Sequence, residues 1–259
     1  MPRDTFDEAA ELYERARPRY PGPLVADLVR VAGIGPGSRV LEIGPGTGKL
    51  TVDLARSGCR ITGVELGPAL ADVARRRLRE FPAARVVTAD FDRWGPPPEP
   101  YDAVVCATAF HWLDPVHRVA RAAGALRPGG HLALVTTLHV AGGTQEFFDL
   151  VQGCYERWMP GTPPGLRLPP EAQMATHTAE LDDSPYFTDV TVHRHAQEIT
   201  YTADAYTDVL LTYSNHRALA APARRGLLAC VRGLLESRFD GVVTKRYLHE
   251  LITARRCAD

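Results

Sequence analysis

From residue 40 to residue 138, short apolar runs alternate with helical patterns. The first strand-to-helix passage runs through the glycine-rich turn Gly44-Pro45-Gly46-Thr47-Gly48. Residues 40–43 lead into the turn as a strand and residues 48–57 leave it as a helix. Further strands are expected over residues 60–65, 85–89, 101–108 and 131–138, with helices over residues 69–80 and 116–126. Strands joined through helices run parallel, and such crossovers are right-handed, so this rhythm implies an α/β fold with a doubly wound sheet. The run 101–108 is apolar throughout, as a strand buried on both faces requires. The arginine-rich side of the helix at 69–80 reads as its outer face.

Either side of this stretch the pattern changes. Thr5-Phe6-Asp7-Glu8 has capping-box spacing, and Phe6, Ala9, Ala10, Tyr13 and Ala16 recur at helical intervals, so a first helix ends near Arg17. A second, over residues 23–31, is stopped by Gly33 and the Gly35-Pro36-Gly37 turn. After residue 139 come a helix over 145–158, a proline-rich loop over 159–170 and a strand-like alternation over 190–195. Helical patterns then cover 203–219 and 224–238, and a closing element of either type spans 247–257.

The chain has 259 residues, 45% of them hydrophobic, enough for a sizeable core, and a formal net charge of −1. No summed basic field gathers nucleic acid or an anionic membrane. Arginine dominates the basic residues, and the lysines are Lys49 and Lys245 alone, a bias read as genomic. Cys59, Cys106, Cys154, Cys230 and Cys257 form an odd set without a C-x-x-C pair, which fits reduced thiols. The N-terminus lacks a basic-then-apolar leader, and no apolar stretch approaches the ~18 residues of a membrane span. The expectation is a cytoplasmic protein with a small-molecule partner, neither nucleic acid nor membrane.

Spacing discriminates among glycine-rich loops. A dinucleotide fingerprint starting at Gly44 wants glycine where Lys49 stands. A phosphate-cradling P-loop ending at Gly48-Lys49 wants glycine at Ile43 and a hydroxyl at Leu50. What remains is G-x-G-x-G preceded by Glu42, in which glycine lets the backbone turn tightly and approach a ligand closely. In the expected order there follow Val64-Glu65-Leu66, Thr88-Ala89-Asp90-Phe91, Tyr101-Asp102-Ala103-Val104-Val105 and Leu126-Arg127-Pro128-Gly129-Gly130. With these five segments the chain resembles the class I S-adenosylmethionine-dependent methyltransferases over residues 40–135.

The resemblance implies S-adenosylmethionine as cofactor and a Rossmann-like sheet of seven strands with a helical cap inserted in the C-terminal half. Residues 1–34 would then be N-terminal helices closing over the cofactor, 35–138 its binding core, and 139–259 the remaining core strands with cap insertions, roughly 139–187 and 196–246. It implies that Glu42, Gly44, Gly46 and Gly48 cradle the cofactor. Glu65, next to Leu66, would accept the ribose hydroxyls, and Asp90 the adenine amino group, beside Phe91. Ala107 and Thr108 would line the same site from the fourth strand.

Tyr13-Glu14-Arg15-Ala16-Arg17-Pro18-Arg19-Tyr20-Pro21 is similar to a segment of the trans-aconitate methyltransferase-like, small-molecule branch. Tyr13 and Arg17 share a helix face at i, i+4 and are candidates for the cofactor's carboxylate, with a surface pair as the alternative. Phe110-His111-Trp112 follows the fourth strand, where ligands of open α/β sheets gather. His111 is the candidate base, with cofactor orientation as its alternative role. Tyr20, Trp112, Tyr206 and Tyr213 are candidates for the acceptor, although Tyr206 and Tyr213, seven apart, also fit one packed helical stripe. His193 and His195 share a strand face without a third ligand, so no metal is expected.

The implied activity is methyl transfer to a small molecule, at oxygen before nitrogen, carbon or sulfur. A cofactor-binding regulatory module without turnover and a nicotinamide-dependent oxidoreductase are the rivals, the latter opposed by Lys49. Base methylation of nucleic acid wants an Asn/Asp-Pro-Pro-aromatic motif where Thr108-Ala109-Phe110-His111 stands.

Overall fold

The computed structural model describes residue 7, residues 9–95 and residues 97–258. The candidate capping residues Thr5, Phe6 and Glu8 lie outside them. The elements in chain order are α1 (Ala10–Ala16), α2 (Gly22–Val31), β1 (Arg39–Ile43), α3 (Lys49–Ala55), β2 (Arg60–Glu65), α4 (Pro68–Arg77), β3 (Ala84–Thr88), β4 (Tyr101–Ala107), α5 (Arg118–Ala125) and β5 (Leu126–Gly143). They continue with α6 (Gln145–Leu150), α7 (Gln152–Trp158), α8 (Ala179–Asp182), β6 (Phe187–Thr202), α9 (Ala203–Leu210), α10 (Ser214–Arg217), α11 (Ala221–Arg238) and β7 (Val242–Arg256). Strands form one seven-membered sheet in the order β3-β2-β1-β4-β5-β7-β6.

From β3 to β5 the pairings are parallel. As β5 climbs from Thr137 to the Thr144 that follows it, its partners on β7 fall from His249 to Thr244, and β6 pairs from Thr191 through Arg194 to Thr200 with Thr253, Glu250 and Thr244. β7 is thus antiparallel to both neighbours, and the sheet is mixed. The seven-stranded α/β architecture expected from the sequence is present.

Two compact units divide the chain. The larger comprises Arg19–Thr137, Thr176–His195 and His249–Asp259. Its strands alternate between two apolar cores. Val40, Ala103 and Val105 enter one with Leu24, Leu28, Leu54 and Ile61, while Leu41, Ile43, Val104 and Cys106 enter the other with Leu126 and Leu132. Period-two side chains with both faces covered explain why β4 reads as continuous apolar sequence. Each fully buried aliphatic contributes about 1.5–3 kcal/mol. α4 is not a bare solvated face, because Arg75 donates to the Val86 carbonyl and the Thr88 hydroxyl and ties the helix to β3.

The smaller unit comprises Met1–Pro18, Leu138–Ala175 and Ala196–Leu248. Phe147, Val151, Tyr206, Leu227, Val231, Leu235 and Tyr247 form its core. Phe147 makes edge-to-face contacts with Phe148, Tyr206 and Phe239 at 5.2, 5.7 and 5.5 Å. α11 meets α7 closely, since a Cβ on Gly226 would lie 2.4 Å from the Trp158 ring. Cys154 on α7 and Cys230 on α11 are joined by a disulfide. This corrects the expectation of reduced thiols for that pair. Cys59, Cys106 and Cys257 are free.

Several expected elements have other bounds. The helix expected over 145–158 is two helices meeting at Val151, and that over 203–219 stops at Leu210, with Tyr213 in the turn before α10. Leu126, expected as the last residue of a helix, and residues 127–130, expected to end it, belong to β5, and the closing element is a strand. Among the described residues no helix is long and apolar enough to cross a membrane.

Candidate active site

The order β2-β1-β4 places the sheet's switch point between β1 and β4, where ligands bind beyond the carboxyl ends of strands. The glycine turn leaves β1 there. Gly44, Gly46 and Gly48 have φ of 65°, 58° and 80°, left-handed conformations that glycine adopts without strain. The Gly44 N–H bonds the Val64 carbonyl at 2.9 Å, and a Cβ on Gly44 would lie 2.6 Å from that of Ala109, so the turn approaches the loop after β4 closely.

Two carboxylates stand behind the turn. Glu65 ends β2, is 7% exposed and accepts the N–H groups of Gly46 at 2.8 Å and Gly67 at 2.9 Å. A carboxylate only accepts, which suits hydroxyl donors from a ligand. Glu42 on β1 is 1% exposed, and its Oε2 has no hydrogen-bond partner among the described residues. Burial, with the Glu65 charge adding to it, pushes the Glu42 carboxyl up to about 7. A buried, unsatisfied acceptor under a glycine cradle matches a ligand that carries an amino group.

Beyond β3, Asp90 accepts the Asp92 N–H at 3.0 Å, and Phe91 is buried beside Trp94. Asp92 in turn accepts the Asp114 N–H at 3.3 Å, which joins the loops after β3 and β4. Beyond β4, Ala107 is buried, and Thr108 has φ of 55°. For a β-branched residue this left-handed conformation is strained, a state that clusters at functional sites. It is held by the Thr108 N–H bonding the Val135 carbonyl at 2.7 Å, and its hydroxyl lies 3.4 Å from the Tyr20 hydroxyl. The Tyr20 ring meets His249 edge-on at 6.0 Å, and the His249 Nδ1 is 3.0 Å from the Thr137 hydroxyl.

Phe110, His111 and Trp112 form a single 3-10 turn. Arg118 stacks over the Phe110 ring at 5.0 Å and donates to its carbonyl at 3.2 Å, which steadies the turn. The rings of His111 and Trp112 are 4.8 Å apart. Partial burial of the imidazole, then the Arg118 charge, lower the His111 pKa, so the ring is neutral at pH 7 and carries a lone pair able to take a proton.

Direct contacts therefore join Gly44 to the Ala109 loop, Gly46 to Glu65, and Tyr20 to Thr108. Leu66 is half-buried after Glu65. Tyr13, Arg17, Tyr206 and Tyr213 belong to the smaller unit. There the Arg17 guanidinium lies 5.3 Å from the Tyr13 ring centre and 4.2 Å from that of Tyr213, and Tyr206 packs in the core against Phe147. Sequence reasoning missed Asp92, Thr137 and His249. The Asx-type bond by which the Asp90 carboxylate accepts the Asp92 N–H has a composition signal, whereas the Thr137–His249 pair depends on strand order alone. His195, expected to share a face with His193, is 3.2 Å from Asp27.

Residues 40–130 match a family model described as a methyltransferase domain. An uncharacterized methyltransferase of Mycobacterium tuberculosis is 37% identical over 135 residues, covering 51% of this chain and 51% of that protein. A ubiquinone biosynthesis O-methyltransferase of Xanthomonas campestris is 36% identical over 118 residues, 44% of this chain and 49% of that protein. The chain spans about half the length of the curated relatives it matches. In fold it is similar to phosphoethanolamine N-methyltransferase 2 of Haemonchus contortus, solved with S-adenosyl-L-methionine, with a TM-score of 0.55 at 17% identity over 97% of this chain and 57% of that one.

Residues 40–130 thus carry a methyltransferase domain. The cofactor of this domain class supplies a methyl group on a sulfonium sulfur, and the cradle fits it. Left-handed glycines leave the backbone open, Glu65 has hydroxyl-accepting capacity, and Glu42 has a buried oxygen in want of a donor.

Proposed function

We propose that this chain transfers a methyl group from S-adenosylmethionine to a small-molecule acceptor, with oxygen as the accepting atom. The observation that carries this reading is the strained Thr108, held between β5 and Tyr20 at the end of β4 and continuous with the neutral His111. Methyl transfer is an in-line displacement that depends on positioning and on exclusion of water. In the proposed division of labour Gly44, Gly46, Gly48 and Glu42 hold the methionyl end, Glu65 and Leu66 the ribose, and Asp90 and Phe91 the adenine, with Ala107 and Thr108 completing the wall. Tyr20 and Trp112 orient the acceptor. His111 takes the proton of an acceptor hydroxyl as the oxygen–methyl bond forms and the carbon–sulfur bond breaks, leaving S-adenosylhomocysteine. An oxygen acceptor is supported by the ubiquinone biosynthesis O-methyltransferase among the relatives.

Calorimetry with S-adenosylhomocysteine, followed by transfer of labelled methyl to a panel of phenols, alcohols and carboxylic acids, tests the proposal. Micromolar binding with turnover on an oxygen acceptor is expected. Binding without turnover on any acceptor would sink the enzymatic reading. Glu65→Ala is expected to weaken S-adenosylhomocysteine by about 1–3 kcal/mol, and unchanged affinity removes Glu65 from the site. His111→Ala is expected to cut turnover while affinity persists, and an equal fall in both would make His111 an orienting group.

A further inference from the structure

Within the smaller unit four basic side chains collect around two tyrosines. Arg17 lies 4.2 Å from the centre of the Tyr213 ring, and His139 and His216 meet the same ring at 5.5 and 5.6 Å. Tyr247 carries His139 on its ring at 5.7 Å and has the Lys245 ammonium 5.5 Å from its centre. Lys245 is 5% exposed, and its nearest ring, Phe148, is 4.4 Å away. Among the described residues none of the four pairs with a carboxylate. The Nε of Arg17 and the Nδ1 of His139 are buried without a hydrogen-bond partner, although Arg17 donates through its terminal nitrogen to the Thr212 carbonyl at 3.1 Å. His216 is occupied by Tyr155 at 3.1 Å and Asn215 at 2.8 Å.

Such an arrangement is unfavourable in isolation. The Arg17 and Lys245 charges repel one another, and a cation over an aromatic face recovers less than a counter-ion contributes. Charge and hydrogen-bonding capacity are therefore left over in the same place. A carboxylate supplies two acceptor oxygens and a negative charge, which match the Lys245 ammonium, the orphaned Nε–H of Arg17 and, in its Nδ1–H tautomer, His139. Tyr213, Tyr247 and Phe148 offer apolar area to the carbon skeleton behind it, which favours an organic acid over a fully hydrated inorganic anion. We infer that the smaller unit carries a binding site for an organic carboxylate, held by Lys245, Arg17 and His139 between the rings of Tyr213 and Tyr247.

The ligand that this cluster recognises is a free organic acid. Because Lys49 and Lys245 are the chain's lysines, protein labelled with 13C at lysine Cε gives two signals, which Lys245→Gln assigns. Burial holds Lys245 down to about 8 before ligand is added. Benzoate or succinate is expected to raise its titration by one to two pH units, as a nearby opposite charge does, and Lys245→Gln is expected to lose at least tenfold in affinity for that acid. Benzyl alcohol, which keeps the ring of benzoate and lacks its carboxylate, is expected to leave the titration unmoved. An equal response to benzyl alcohol, or a titration that neither acid moves, overturns the inference. His139→Asn gives a second readout should Lys245→Gln fold poorly, with the same tenfold loss expected and unchanged acid affinity counting against the site. The outcome is independent of methyl transfer, since Lys245 can answer to an acid in a protein that turns nothing over.

Discussion

In the larger unit the candidate recognising groups are mostly backbone. Three left-handed glycines, the N–H groups of Gly46 and Gly67 on Glu65, and a strained Thr108 shape a cradle that hardly depends on side-chain conformation. In the smaller unit they are long side chains, Arg17, His139 and Lys245, on a core of stacked aromatics. A backbone cradle is fixed by chain geometry and tolerates no added atom. A side-chain cluster is adaptable and owes its stability to packing, to a cross-link and to whatever neutralises its charge.

The largest effect should come from the smaller unit. Cys154→Ser with Cys230→Ser opens a loop of 76 residues and removes a link within the core, so a loss of about 4 kcal/mol is expected from the chain entropy released. Urea denaturation of both forms measures it, and coincident midpoints would mean that packing alone holds α7 to α11. Gly44→Ala should cost the larger unit roughly 3 kcal/mol through an unfavourable φ and contact with Ala109, together with most of its affinity for S-adenosylhomocysteine. Adding Ala109→Gly should recover part of the stability. An alanine tolerated at full affinity would show that the turn can shift, against the rigid half of the comparison.

The smallest effect is a difference in sign. Glu42 folds with its pKa raised, so the folded state holds the proton more tightly than the unfolded one, and its favourable share is lost as pH rises from about 4.5 through 7. His139 is held down to about 3, chiefly by burial, so its share is complete above 6.5 and is lost as pH falls towards 3. Glu42→Gln should stabilise the protein at pH 8 by roughly 2–3 kcal/mol and remove the first slope. His139→Phe should flatten the second. Stability curves for the two variants that changed in the same direction at both ends would contradict the separate placement of these charges.

Legibility in the sequence follows the same division. β1, β2 and β4 announce themselves because strands covered on both faces must be apolar throughout, and the glycine turn because no other residue takes three left-handed conformations within five positions. Glu65 and Asp90 follow from register with that turn. The smaller unit is written in longer-range contacts. Tyr206 and Tyr213 look like one helical stripe, yet the Thr212 hydroxyl bonds the Val209 carbonyl and ends the helix between them. Cysteine spacing alone cannot pair Cys154 with Cys230. His139 and Lys245 meet across Tyr247 because β7 lies beside β5, a neighbour relation that no local pattern encodes.

That strand order has a temporal side. β6 adjoins the sheet through β7, which comes later in the chain, so during synthesis β6 emerges before its seat exists. Until Val242–Arg256 has left the ribosome, β6 is an unpaired edge with a row of unsatisfied N–H and C=O groups, open to mispairing with another nascent chain. A lesion confined to β7 would accordingly release two strands, and its first symptom would be aggregation during expression.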